Sequence, residues 1–238
     1  MTYNIKNEIS NILDEFYSLK QEYLKIETQI LNLLETKYIP ASEIELLNKS
    51  FLRCSNICKA VYLLNENEYS QESRILIRSI IEETINIHYL FAGTKEEVIK
   101  KWFFYSKNLF LTGEERLNYY EENRRFPDLF KTKKISERCK KANLDDAFYS
   151  RYQVYCSYTH GDGLILDEYV TLPNRNVAIK LKPNKCRLCL DFLCLYDCLQ
   201  LLIILIFEKT HTPQNNELIK EFFVKLGQIR DKIEAHLL

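Results

Sequence analysis

Glycine and proline are scarce in this chain, five of each in 238 residues. No Gly/Ser-rich or Pro-rich stretch is left to act as a linker, which points to one compact helical domain over residues 1–238. Net charge is missing too. The 33 Lys and Arg balance 33 Asp and Glu, and no run of like charge stands out. A strong non-specific nucleic-acid binder carries a basic excess, so any nucleic-acid contact here is expected to be local. The opening residues, Met1-Thr-Tyr-Asn-Ile-Lys-Asn-Glu8, lack the apolar segment of a secretion signal. Eight cysteines without such a signal imply free thiols in a reducing compartment, so the expected address is the cytoplasm. No P-loop, GxGxxG turn, nucleophile elbow or HExxH pair is found, and no cofactor is expected.

What the chain does have is helical spacing. Ile5, Ile9, Ile12, Phe16, Leu19, Tyr23, Ile26, Ile30 and Leu33 step by four and three without a break. That heptad-like stripe predicts a long first helix over 1–36 and, because one small bundle would not cover it, a homodimer through that helix. Pro40 and the capping box Ser42-x-x-Glu45 predict a second helix striped by Ile44, Leu47, Phe51, Cys54, Cys58 and Val61. Asn65-Glu-Asn-Glu68 reads as a loop, and Gly93 as the stop of the third helix. Thr94-x-x-Glu97 opens a fourth helix with Trp102, Phe103 and Phe110. A weaker stretch from Thr112 to Lys134 reads as a short helix and an exposed loop.

Asp145 to His160 is predicted helical, with Phe148, Tyr152, Tyr155 and Thr159 on one side. Tyr169–Leu172 and Val177–Leu181 flank a turn-like Pro173-Asn-Arg-Asn176, the pattern of a small β-hairpin near 169–181. Two helices close the chain, Lys185 to Lys209 and Pro213 onward. The second buries Leu218, Phe222, Leu226, Ile229, Ile233 and Leu237. The first is the most apolar stretch of all, but Arg187, Asp191, Asp197 and Gln200 make it a poor membrane span and a plausible core helix. The expected fold class is all-α, a bundle of seven to nine helices with no membrane partner.

Ionisable residues in apolar helices carry the functional argument. Arg78 and Glu82 stand one turn apart in a segment whose other faces hold Leu76, Ile77, Ile80, Ile81, Ile87 and Leu90. A helix apolar all round is a buried one, and a guanidinium or carboxylate is almost never buried unpaired. The two therefore either form an internal ion pair or line a pocket. His160 closes the run Tyr152-Gln-Val-Tyr-Cys-Ser-Tyr-Thr-His-Gly161 at a helix C-terminus, where the dipole favours the imidazolium.

These residues resemble an uncharacterised bacterial family of helical proteins. That family has an Arg-x-x-x-Glu helix followed, about seventy residues later, by Tyr-x(5)-Tyr-x-His and a small residue. Arg78, Glu82, Tyr152, Tyr158, His160 and Gly161 match the pattern, over roughly residues 45–205. Cys156 stands where the family often has Ser. The resemblance implies a kinship, or a convergence, with helical nucleases and toxin-type domains of phage-defence loci. A second likeness lies in Arg230-Asp-Lys-Ile-Glu-Ala-His236, an Arg-to-His spacing similar to the catalytic motif of HEPN ribonucleases, which are helical dimers. It implies metal-independent RNA cleavage. An imidazole takes the ribose 2′-hydroxyl proton, and an Arg neutralises charge on the scissile phosphate.

Each motif has a plain structural alternative. Arg78, Glu82 and His160 can simply hold helices together, and Arg230 and His236 can be a solvated last turn, since a six-residue step leaves them about 120° apart. Cys186, Cys189, Cys194 and Cys198 point to about 0°, 300°, 80° and 120° on one helix and cannot converge on one ion. They read as small buried apolar residues. The leading expectation is a defence or toxin-type, HEPN-like ribonuclease using Arg78, Glu82, Tyr158 and His160, with Arg230 and His236 as a competing site. The alternative is a non-catalytic helical module that binds a nucleotide, nucleic acid or partner protein.

Overall fold

The computed structural model describes residues 10–15, 17, 18, 21, 24, 25, 41–67, 69–93, 100, 112–122, 124, 134–160, 170, 171, 178, 179, 185–210 and 216–237. Its fold class is all-α. The main helices are α1 (Ala41–Glu66), α2 (Ser70–Phe91), α3 (Gly113–Glu122), α4 (Ile135–Lys141), α5 (Asp146–His160), α6 (Lys185–Thr210) and α7 (Asn216–Ala235). Between α5 and α6, β1 (Val170–Thr171) and β2 (Ala178–Ile179) pair antiparallel, Val170 opposite Ile179 and Thr171 opposite Ala178. The strand pair falls within the stretch where a hairpin is expected.

The helices form because their apolar residues recur at three and four, and the same stripes bury them. On α1 the stripe is Leu47, Phe51, Cys54, Cys58 and Val61, all buried. On α6 it is Leu188, Phe192, Leu195, Leu199, Leu202 and Ile206, and on α7 Phe222, Leu226, Ile229 and Ile233. Burying a side chain such as Phe192 completely stabilises the fold by about 1.5–3 kcal/mol. α2 is the hub and packs on α1, α4, α5 and α6; α6 in turn meets α1 and α7. The Lys185–Lys209 helix is long and apolar enough to cross a membrane, and 67% of its most apolar window is buried inside the fold.

Local chemistry fixes the ends. Asp145 Oδ1 accepts the Phe148 amide at 2.7 Å and so caps α5. Asn143, in the turn before it, takes the left-handed conformation at φ 55°, which asparagine tolerates. At α3, Thr112 and Glu115 form a reciprocal capping box. The Glu115 carboxylate accepts the Thr112 amide at 2.8 Å, and the Thr112 hydroxyl accepts the Glu115 amide at 3.4 Å.

Several expectations need correction. Ser42 lies inside the first turn of α1 rather than at its cap, because the helix already starts at Ala41. Asn65 is not a loop residue. It is buried in the last turn of α1, where Nδ2 donates to the Val61 carbonyl at 2.9 Å and to Ser73 Oγ at 3.1 Å, tying α1 to α2. Thr159 is exposed although it lies on the Tyr155 side of α5, because it stands in the helix's last turn. Leu237 is also exposed, in the turn beyond the end of α7. Of the first-helix stripe only Ile12 is described; it is fully buried in the chain's own core, while Glu15 meets Lys232 of α7 at 3.3 Å. The remainder of that stripe, the side chains of Ile44 and Leu218, and Thr94–Glu97 with Trp102, Phe103 and Phe110 lie outside the described residues.

Candidate functional site

Two arginines one turn apart on α2, Arg74 and Arg78, point about 40° apart by the helical period, and both meet α5. Arg74 reaches Tyr158, and Arg78 reaches Tyr152. A lower number on α2 thus goes with a higher one on α5, so the two helices run antiparallel and lay their polar residues along one seam.

The inner part of the seam is closed. Arg74 Nε donates to Asp191 Oδ2 of α6 at 2.8 Å, and the Tyr155 hydroxyl donates to Asp191 Oδ1 at 2.7 Å. Arg74 Nη1 also donates to the Tyr158 hydroxyl at 3.2 Å, and its guanidinium lies 5.0 Å from the centre of the Tyr158 ring. Arg74 and Asp191 are 1% and 2% exposed, so this is a true internal ion pair with both carboxylate oxygens engaged. Burial, with the Asp191 charge added, pushes the Tyr155 hydroxyl well above its ordinary range and keeps it a neutral donor. Three buried groups from α2, α5 and α6 are thereby locked to one another.

The outer part is only half closed. Arg78 Nη2 lies 3.3 Å from Glu82 Oε2 and 3.3 Å from the Tyr152 hydroxyl. Both are long for charge-assisted hydrogen bonds, which favour about 2.7–2.9 Å. Arg78 Nε is buried without a hydrogen-bond acceptor, although the side chain as a whole retains 24% of its exposure. The guanidinium stands over the Tyr152 ring, with Cys156 beside both. The hydrogen bond to Tyr152 outweighs partial burial and holds Arg78 above the ordinary guanidinium range, so it stays cationic. Burial raises the Tyr152 hydroxyl in its turn, against the pull of Arg78. The arrangement is a cation with an unanswered donor beside a neutral phenol, which suits an anion.

The sequence-derived site residues are distributed as follows. Arg78 and Glu82 form the ion pair that their spacing allows, at the half-exposed edge of the α2–α5 seam. Tyr158 is on the same seam but serves Arg74. His160 ends α5 about 12 Å along the axis from Tyr152, at 1.5 Å per residue. The His160 side chain and Gly161 lie outside the described residues. Arg230 is exposed on α7, donating to Glu234 at 2.7 Å and lying 5.8 Å from the Tyr196 ring. It lines a polar cleft of about 380 Å³ with Arg151, Asp197 and Gln200, a lining that does not include His236. His236 sits in the turn after α7, its amide on the Ile233 carbonyl.

Arg74, Asp191 and Tyr155 are the polar residues that sequence reasoning passed over as a unit. A signal was there: Arg74 shares the face of Arg78 and Glu82, and Asp191 interrupts an apolar run. Among the described residues no three His, Cys, Asp or Glu converge as a metal site would require. Cys189, Cys194 and Cys198 are buried as expected, but Cys186 is exposed at the outer side of the first turn of α6.

No curated protein and no solved structure matches the chain. Residues 45–133 do match the model of a family of unknown function, DUF5677, a stretch that holds Arg78 and Glu82 and stops short of α5.

Proposed function

We propose that this protein is a helical module that binds a phosphate-bearing ligand, a nucleotide or RNA, with Arg78 as the anchoring cation. The observation that carries the reading is the contrast between the two arginines of the seam. Arg74 has its partners built in, whereas Arg78, beside Tyr152, Glu82 and Cys156, keeps a buried Nε without an acceptor on a side chain that is still 24% exposed. A phosphate oxygen on that edge supplies the missing acceptor. The balanced charge of the whole chain fits a local contact and not a broad electrostatic track.

Cleavage is the second reading, in which the protein is a phage-defence or toxin-type endoribonuclease with HEPN-like, metal-independent chemistry. It is favoured by the contact of Tyr152, the first residue of the Tyr-x(5)-Tyr-x-His run, with Arg78 of the Arg-x-x-x-Glu helix. In this reading His160 removes the 2′-hydroxyl proton and Arg78 neutralises the phosphate. Arg230 and His236 are the competing set, supported by spacing alone. Incubating labelled RNA with wild type, His160→Ala and His236→Ala in EDTA separates the cases. Loss of cleavage in one variant assigns the site; no cleavage by wild type leaves the binding module. A homodimer through residues 1–36 belongs to the same proposal, and a monomer mass by light scattering at micromolar concentration contradicts it.

A further inference from the structure

The cleft of about 380 Å³ beside Arg230 is within the size range of small-molecule sites, and it draws opposite charges from different elements. The turn before α5 contributes Leu144 and Asp145, α5 contributes Arg151, α6 contributes Asp197, Gln200 and Leu201, and α7 contributes Arg230. Among the described residues its lining thus holds two cations and two carboxylates. One of each is answered within the fold, because Arg151 donates to Asp197. The other two charges keep unused atoms. Asp145 is exposed and commits Oδ1 to the Phe148 amide, while Oδ2 has no hydrogen-bond partner among the described residues. Arg230 commits Nε to Glu234 and lies near the Tyr196 ring, but its Nη groups have no acceptor among the described residues. The half-buried Gln200 amide also has no hydrogen bond among the described residues.

A lining whose charges balance gives little net attraction to a simple anion or a simple cation. A ligand that carries both charges satisfies Asp145 and Arg230 at once, while its organic body covers Leu144 and Leu201. We infer that this cleft binds a small zwitterion, one ammonium and one carboxylate on a short apolar body. The ammonium lies at Asp145, the carboxylate takes the Nη edge of Arg230 as a charge-assisted contact, and the Gln200 amide gains a partner. The site is separate from the Arg78 cluster, since neither Arg78 nor Tyr152 lines it.

Calorimetric titration of the full chain at neutral pH tests this with two zwitterions of different charge spacing. Leucine is compared with N-acetylleucine and leucinamide, and 6-aminohexanoate with hexanoate and hexylammonium, each comparison compound lacking one charge. Expected is saturable one-to-one binding of leucine or 6-aminohexanoate, whichever spacing fits, with both of its single-charge counterparts at least tenfold weaker. Asp145→Asn keeps the α5 cap, since Asn caps as well as Asp, and should weaken the bound zwitterion at least tenfold. Arg230→Gln, at an exposed position on α7, should do the same. The proposal is overturned by absence of saturable binding of both zwitterions, or by a single-charge counterpart that binds as tightly as its zwitterion. An Asp145→Asn or Arg230→Gln protein that binds like wild type, with an unchanged circular dichroism spectrum, overturns it as well.

Discussion

Arg74 and Asp191, 117 residues apart in sequence, meet at 2.8 Å in the centre of the bundle, and neither is exposed to more than a trace of solvent. The pair ties the hub helix α2 to the core helix α6, and Tyr155 brings α5 to the same carboxylate. Removing one member leaves the other charged and buried. Arg74→Met is expected to destabilise the protein by about 3–5 kcal/mol, read from urea unfolding. The double change Arg74→Met, Asp191→Leu should recover part of that loss, because no charge is left to desolvate, while the buried Tyr155 hydroxyl loses its acceptor. A single variant as stable as wild type contradicts the ion-pair assignment.

Arg78 should behave differently. Its carboxylate partner Glu82 is 35% exposed and the contact is long, so the pair belongs with surface ion pairs. Such pairs contribute about 0–1 kcal/mol. Arg78→Gln is therefore expected to shift the urea midpoint by no more than about a third of the Arg74→Met shift. A loss as large as that of Arg74→Met would mean that Arg78 is structural and not poised for a ligand.

Much of this is legible in the amino-acid sequence. The stripes of α1, α6 and α7 follow from spacing alone, and the one-turn step from Arg78 to Glu82 already allows their pairing. The identity of the buried arginine was not legible. Arg74 and Arg78 share a face of α2, and only the crossing of α5 and α6 decides which of them is covered. Asp191 is visible in sequence as a charge in an apolar run, but no local pattern names a partner 117 positions away. Asn65 escaped for a related reason: its residue type suggests a loop, and the Ser73 hydroxyl that makes its burial affordable comes from the next helix.

His88 supplies a pH dependence. Its Nε2 meets the Leu201 carbonyl at 3.2 Å, so that nitrogen carries the proton of the neutral ring. Burial lowers its pKa from the ordinary value of 6.5, against the pull of that hydrogen bond. The unfolded chain then binds a proton more readily than the folded one, so stability is complete above about pH 6.5 and falls as the pH drops toward the folded value. His88→Gln should flatten that acid-side slope of unfolding free energy against pH. An unchanged slope contradicts the assignment.

The thiols should differ sharply in reactivity. Burial raises Cys58, and raises Cys54 with the Glu83 charge acting in the same direction, so neither offers thiolate near neutral pH. Cys189 is raised to about 11 by burial as well. Cys186 is exposed. Brief iodoacetamide treatment of the native protein, read by peptide mass spectrometry, should modify Cys186 first and leave Cys54 and Cys58 intact until the chain is unfolded. Early labelling of Cys54 or Cys58 contradicts the packing of α1.

The most direct test of the central claim is an anisotropy titration of fluorescein-labelled single-stranded RNA, in EDTA, with ATP and pyrophosphate as competitors. The account predicts binding by wild type that the competitors reverse, and at least a tenfold loss, about 1.4 kcal/mol, in Arg78→Gln. Superimposable curves for wild type and Arg78→Gln, or no binding of any of these phosphates by wild type, would contradict it.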